Sequence, residues 1–316
     1  MPSETSPAVA LVIPVFNEQA VLPALVGRLR AVFDATPAHE WQACLVDDGS
    51  RDGSAALIEA ACREDARFTG VLLSRNFGHQ SALTAGIAQV ADADAVITMD
   101  ADLQDPPELM PALVAEWERG AEIVLAVRRS RQERGLRRLG FELFHRMFQR
   151  LSDHPVEANT GTFGLLARPA VEAFVQLPEQ HRFFPGLRAW VGFTRGRVEY
   201  DRLERAAGTP AQTFRRLVRY ALDGIFSFSR LPLRLLTYTG LIIALVGFAI
   251  GLFFAIRRII GVEIAPTGFT TLVTLVLFLG GIQLIGIGVI GEYLGRVYDE
   301  VKRRPPYIVR RVVGRG

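Results

Sequence analysis

Cysteine is nearly absent from this sequence: Cys44 and Cys62 are the only two among 316 residues. That excludes a disulfide framework and a thiolate metal site, so both cysteines are expected in the core of a protein kept in a reducing compartment. No internal repeat or low-complexity tract occurs, which sets aside solenoids and disordered linkers. A secretory leader is not expected either, because the first apolar stretch, Val9 to Phe16, is short and broken by Pro14. Charge is missing altogether from two long stretches, 22 residues from Leu235 to Ile256 and 28 from Ile264 to Gly291. A helix rising ~1.5 Å per residue crosses the ~30 Å hydrocarbon core with about 20 residues, so each stretch is long enough to span a membrane.

The flanks of these stretches supply an orientation. Arg215, Arg216, Arg219, Arg230 and Arg234 precede the first, and Arg296, Lys302, Arg303, Arg304, Arg310 and Arg311 follow the second, against Arg257 and Arg258 between them. The positive-inside rule then places both termini in the cytoplasm, with a hairpin of two spans at about 235–256 and 269–291 in the inner (cytoplasmic) membrane. Most of the excess base behind the pI of about 9.1 lies beside the spans, which points to anionic lipid as partner and away from nucleic acid.

Upstream, runs rich in Val, Ile and Leu recur at Val9–Val15, Ala43–Val46, Gly70–Leu73, Ala95–Met99 and Ile123–Val127, alternating with helical patterns near Gln19–Phe33, Ser54–Glu64, Gln80–Val90 and Pro107–Arg119. Such alternation predicts an α/β domain with a mostly parallel sheet covered on both faces. Ligands of such sheets bind beyond the carboxyl ends of the strands. Here those ends carry Pro14-Val15-Phe16-Asn17-Glu18, Asp47-Asp48-Gly49-Ser50, Ser74-Arg75-Asn76 and Asp100-Ala101-Asp102.

Two further segments have amphipathic helical spacing: Leu136, Leu139, Leu143, Phe144, Met147, Phe148 and Leu151, and then Phe214, Leu217, Val218, Ala221, Leu222 and Ile225. Basic amphipathic helices beside a span lie in the membrane interface, and packing against the domain core is the alternative for each segment. The expected organisation is a nucleotide-handling domain over 1–211, a juxtamembrane helix over 212–234, the hairpin over 235–291 and a basic cytosolic tail over 292–316.

Asp100 and Asp102 are the sharpest chemical signal. Two carboxylates so close repel unless a cation lies between them, and Mg²⁺ or Mn²⁺ takes oxygen ligands and bridges carboxylates to a diphosphate. With Ile13-Pro14-Val15-Phe16-Asn17-Glu18, Val46-Asp47-Asp48-Gly49-Ser50, Arg75-Asn76-Phe77-Gly78-His79-Gln80 and Met99-Asp100-Ala101-Asp102-Leu103-Gln104-Asp105-Pro106-Pro107-Glu108 in this order, the chain resembles the family 2 glycosyltransferases. It is most similar to their polyprenyl-phosphate branch, that of dolichol-phosphate mannose synthase and the bactoprenol glucosyltransferases. Gly291-Glu292-Tyr293-Leu294-Gly295-Arg296 and Arg304-Pro305-Pro306-Tyr307 match the tail of that branch, so the resemblance covers nearly the whole chain.

The resemblance implies a GT-A-like (Rossmann-like) domain followed by interfacial helices and a two-helix hairpin. It implies a metal-dependent, inverting transfer from a nucleotide sugar, best taken as UDP-glucose, to polyprenyl (undecaprenyl) phosphate, and a homo-oligomer such as a tetramer. Pro14, Phe16, Glu18 and Asp48 would border the nucleotide; Asp100, Asp102 and Gln104 would surround the metal; Arg128, with Asp100 and Asp102, would serve catalysis. Arg128 or Arg129 would meet phosphate, an interaction that suits the guanidinium fork. Acceptor phosphate would be met by Arg129, Arg137, Arg138, Thr162, Arg182, Arg202, Arg205 and Arg215.

One stretch departs from the branch. Where related glucosyltransferases carry Asp on both sides of a Thr-Gly pair and Arg after the following Phe, this sequence reads Asn159-Thr160-Gly161-Thr162-Phe163-Gly164. The branch's Ser-Lys-Tyr after the later glycine is also replaced, by Thr209-Pro210-Ala211 after Gly208. A sugar hydroxyl acceptor needs a general base, whereas a phosphate monoester, with a second pKa near ~6, is already ionised at neutral pH. Thr162 in place of Asp therefore suits a phosphate acceptor; transfer to a hydroxyl and a catalytically silent sugar-nucleotide scaffold are the alternatives.

Overall fold

A computed structural model of the chain describes residues 6–129, 157, 159–180, 182–201, 231–260 and 269–314. Both amphipathic segments lie outside the described residues. The chain divides into two units, one of residues Met1–Tyr220 with Arg304–Gly316 and the other Ala221–Arg303.

The first unit is built on strands β1 (Ala8–Val15), β2 (Glu40–Asp47), β3 (Phe68–Leu73), β4 (Ala95–Thr98), β5 (Ile123–Arg128), β6 (Thr160–Ala167), β7 (Arg195–Tyr200) and β8 (Val309–Val313). They form one sheet in the order β7-β5-β6-β4-β1-β2-β3-β8. β1 pairs in parallel with β2 and β4, and β2 with β3, which is the parallel core predicted from the apolar runs. β6 runs antiparallel to both β4 and β5, and β8 antiparallel to β3, so the complete sheet is mixed.

Local sequence explains these roles. Every residue of β1 after Ala8 is buried, as expected of a central strand covered on both faces. At the edge, β7 reads Arg-Gly-Arg-Val-Glu-Tyr and alternates in exposure, with charges that discourage pairing with another chain. Helices α1 (Leu22–Ala35), α2 (Ser54–Glu64), α3 (His79–Gln89) and α4 (Met110–Glu118) fall close to the predicted patterns, while α5 (Arg168–Gln176) and α6 (Phe184–Trp190) follow β6. In α1 the residues Leu22, Leu25, Val26, Leu29, Val32 and Phe33 recur with helical spacing and are all buried. Each such side chain removed from water contributes about 1.5–3 kcal/mol.

Part of the basic tail expected over 292–316 is ordered as a strand. Val309–Val313 is a strand that covers the outer edge of β3; the Ser74 N–H donates to Ile308 O at 2.9 Å, and Arg311 pairs with Glu59. Val313 packs against the hydrophobic core. Alternating exposure did not mark this strand, because its charged residues face water beside valines at a sheet edge.

The second unit contains α7 (Leu231–Ile259) and α8 (Phe269–Lys302), the latter running past the expected boundary at Gly291. The two helices touch where Leu236 lies only 3.1 Å from the position of a Cβ on Gly286, so a larger residue there would press into α7. Their surfaces carry large apolar side chains in the open, among them Phe248 at 72% and Leu284 at 71% exposure. Among the described residues one helix, Phe278–Lys302, is long and apolar enough to cross a membrane, with a mean hydropathy of 1.4; Leu236–Ile250 is a shorter apolar stretch.

Two outcomes follow. Ending the chain after Arg304 uncovers the β3 edge and should lower the melting temperature of the detergent-solubilised protein by roughly 4–8 °C, the equivalent of about 2 kcal/mol in a domain of this size; an unchanged melting temperature would show that β8 contributes nothing. Cys44 and Cys62 are both buried, and burial pushes the Cys62 thiol up to about 11. Neither should react with iodoacetamide at neutral pH until denaturant is added, because the thiolate is the reactive form; labelling of the folded protein would contradict this placement.

Candidate functional site

The carboxyl ends of the parallel strands bring four loops together. Asn17, after β1, has φ 56°, a left-handed conformation that Asn tolerates better than most residues. It is held by the loop after β2: its N–H donates to Ser50 Oγ at 3.0 Å, and the Arg51 N–H donates to Asn17 Oδ1 at 2.8 Å. The Glu18 N–H donates to Ser54 Oγ at 2.9 Å, and the Gly53 N–H to Gln19 Oε1 at 2.8 Å. Phe16 stands 43% exposed at this rim, a flat apolar face open to a ligand. Pro14 lies within β1, paired with Val46, below the rim.

Asp48 is buried, and its two carboxylate oxygens accept the N–H groups of Phe77 at 2.7 Å and Gly78 at 2.9 Å. The residue predicted to face a nucleotide thus also shapes the loop after β3. Burial raises its pKa against the lowering effect of those two hydrogen bonds. Gly49 has φ 69°, and a Cβ there would lie 2.5 Å from the Arg75 carbonyl carbon, so backbone conformation and space both require glycine.

Beyond β4 stand the two carboxylates. Asp100 Oδ1 lies 2.9 Å from His79 Nε2 at the start of α3. Burial alone would lower the pKa of His79, but the hydrogen bond and charge of Asp100, with the fields of Asp48 and Asp102, more than offset it and raise it above the usual value. Asp102 is buried and accepts the Gln104 N–H at 3.2 Å, a turn made possible by Leu103 at φ 57°. Such a conformation in a branched residue is costly and is typical of functional loops. Glu108 is clasped by Arg28 of α1 through two hydrogen bonds, which ties the end of this loop to the domain.

Arg128, the last residue of β5, is mostly buried, and its Nε donates to Tyr200 Oη at 3.1 Å. The Tyr200 hydroxyl donates to Asp105 Oδ1 at 2.5 Å, and Asp105 is wholly buried. Burial works against the charge on Arg128; Asp105, Tyr200 and Asp100 more than offset it and raise its pKa. Burial, then the charge of Asp105, pushes the Tyr200 hydroxyl far above its ordinary range, so it stays a donor.

The structure therefore gathers Asp48, Asp100, Asp102 and Arg128 around one rim, and adds His79, Asp105 and Tyr200. Other predicted residues have different surroundings. Arg129 is exposed and pairs with Glu199 at 3.5 Å and Asp201 at 3.7 Å. Arg182 donates to the carbonyls of Leu177 at 2.9 Å and Phe174 at 3.0 Å and lies over the Phe174 ring, so its planar group braces the chain after α5. The Thr162 carbonyl accepts the Thr98 hydroxyl at 2.6 Å, which fixes β6 against β4. Arg137, Arg138, Arg202, Arg205 and Arg215 lie outside the described residues.

Among the described residues no three His, Cys, Asp or Glu side chains converge as a closed metal cage. Asp100 and Asp102 instead supply a two-carboxylate oxygen set. That donor set fits Mg²⁺ or Mn²⁺, which bind through one or two carboxylates and complete their shell with water and substrate phosphate.

Comparison with known proteins identifies the family. Residues 10–174 match Glycosyl transferase family 2, and residues 231–297 match the GtrB C-terminal hairpin. The Prophage bactoprenol glucosyl transferase homolog of Escherichia coli (strain K12) is 41% identical over 305 residues, covering 96% of this chain and 99% of that protein. The SfII prophage-derived bactoprenol glucosyl transferase of Shigella flexneri is 41% identical over 304 residues, covering 96% and 97%. The Undecaprenyl-phosphate 4-deoxy-4-formamido-L-arabinose transferase of Shewanella sediminis is 40% identical over 311 residues, covering 96% and 92%. A family match through the site and relatives aligned from end to end lead to one conclusion: the chain is a glycosyltransferase and belongs to glycosyl transferase family 2.

Proposed function

We propose that the protein transfers glucose from UDP-glucose to undecaprenyl phosphate at the cytoplasmic face of the membrane, making a lipid-linked sugar for modification of cell-envelope glycan. The observation that carries this reading is the 41% identity that runs through both the sheet domain and the hairpin of a bactoprenol glucosyl transferase homolog. Phe16 and Glu18 border the nucleotide, and Asp48 holds the loop beside it. Asp100 and Asp102 hold the divalent cation, with Gln104 next to them. When bound, that cation neutralises charge on the diphosphate of the donor.

The remaining chemistry falls to substrate and side chains. An oxygen of the lipid phosphate attacks the anomeric carbon, the bond from that carbon to the nucleoside diphosphate breaks, and the configuration inverts. Arg128 meets the negative charge that grows on the leaving group, which a guanidinium already held in place does without reorganising. The phosphate nucleophile carries no proton to be removed, so Thr162 need not act as a base. Arg134, Arg137, Arg138, Arg215 and Arg216 serve the acceptor phosphate where the lipid surfaces.

Chain connectivity supports the reading of two spans. β8, after α8, belongs to the same sheet as the strands before α7, an arrangement that suits an even number of crossings. α7 has 29 residues and α8 has 34, each longer than the roughly 20 needed to span. The Lys/Arg bias supports cytoplasmic termini.

The test is to incubate purified protein with labelled UDP-glucose, undecaprenyl phosphate and Mg²⁺ or Mn²⁺, and then extract into organic solvent. Labelled lipid should form, vanish with chelator, and fall by at least about 100-fold in Asp100→Ala and in Asp102→Ala. Thr162→Ala should stay within about tenfold of wild type, since losing a general base costs ~100-fold or more. No labelled lipid with this donor sinks the proposed substrate pair, and label appearing only in a glycolipid with a hydroxyl acceptor replaces it.

A further inference from the structure

An arginine at a strand tip has several rotatable bonds to immobilise before its guanidinium can meet a phosphate at a fixed distance. In this molecule the immobilisation is built from three separate parts of the chain. Arg128 Nε donates to the Tyr200 hydroxyl at 3.1 Å, and that hydroxyl donates to Asp105 at 2.5 Å. On the other side the guanidinium lies across β6 at Gly161, where a Cβ would be 2.8 Å from Nη2. The Arg128 N–H is also fixed, donating to Asn159 O at 3.2 Å.

The arrangement is not the direct fork that Arg and a carboxylate usually form. Arg128 Nη2 and Asp105 Oδ1 are 3.7 Å apart, at ion-pair range but beyond a hydrogen bond, because the tyrosine hydroxyl stands between the charges. A fork would draw the guanidinium down onto the wholly buried Asp105. The relay anchors it by Nε instead and keeps it within electrostatic reach of Asp100. Asp105 lies three residues after Asp102, so the same relay ties the loop of the two carboxylates to the tip of β5.

We infer that Tyr200 and Asp105 are positioning residues for this glycosyltransferase. With the bare Cα of Gly161 they set the Arg128 guanidinium at the height where it meets the diphosphate of the donor and the nucleoside diphosphate product. The inference rests on the reading of Arg128 given under the proposed function. It also explains the glycine of the Thr160-Gly161-Thr162 stretch, since any side chain there occupies the space of Arg128.

Two substitutions probe the relay from opposite sides. Tyr200→Phe removes only the hydroxyl and keeps the edge-on ring contact with Phe163 at 5.8 Å. Gly161→Ala meets only the far end of a flexible side chain, so the fold can keep its shape while Arg128 shifts. The full chain, in detergent with Mn²⁺, is titrated with UDP by calorimetry, and its melting temperature is recorded.

Each substitution should weaken UDP about tenfold, the scale on which partners of site ligands act, with the melting temperature within about 4 °C of wild type. In an Arg128→Lys background, which lacks the Nε–H and the planar group, each should cost less than about twofold. The same factor in both backgrounds, or no change in either, overturns the inference, as does a loss that only follows a lower melting temperature. The acceptor reading is separate: wild type that binds UDP but labels no undecaprenyl phosphate removes that substrate and leaves the relay standing.

Discussion

Two carboxylates placed two residues apart at the tip of a buried strand repel each other, and the surroundings of Asp100 and Asp102 are arranged around that repulsion. His79 brings an imidazole whose pKa is raised against Asp100, Arg128 brings a guanidinium from β5, and the main chain at Gln104 donates to Asp102. None of these closes a cage. The negative charge of the pair is partly balanced, and two carboxylates of this kind suit a cation that arrives with a diphosphate.

The sheet is what gives those groups a common rim. β1 and β4 run in parallel side by side, so the loops carrying Glu18 and Asp100 leave from the same edge, and β2 adds Asp48 beside them. Antiparallel β6 then returns across β4 and β5 and places Gly161 against Arg128. After the second apolar helix the chain returns to this sheet as β8.

Much of this was legible in the residues themselves. The five apolar runs became β1 to β5 within a few residues, because strands buried on both faces leave an unbroken Val/Ile/Leu signature. β6, β7 and β8 were not expected: β6 opens on Thr-Gly-Thr, half of β7 is charged, and β8 carries two adjacent arginines, so all three depend on pairing with distant strands. At the site, the acidic pair was visible as a short motif at a strand tip. Tyr200 and Asp105, 95 residues apart, are joined by a tertiary contact with no local pattern, and the grip of Arg182 on two backbone carbonyls has none either.

The acceptor atom proposed above is a phosphate oxygen of a membrane lipid. UDP-glucose carrying carbon-13 at its anomeric position, incubated with the enzyme and undecaprenyl phosphate, yields a product whose anomeric carbon can be observed directly by NMR. Coupling of that carbon to phosphorus is expected in the organic-phase product, with the anomeric configuration inverted relative to the donor. A lipid product whose anomeric carbon shows no phosphorus coupling, or one that keeps the configuration of the donor, would contradict it.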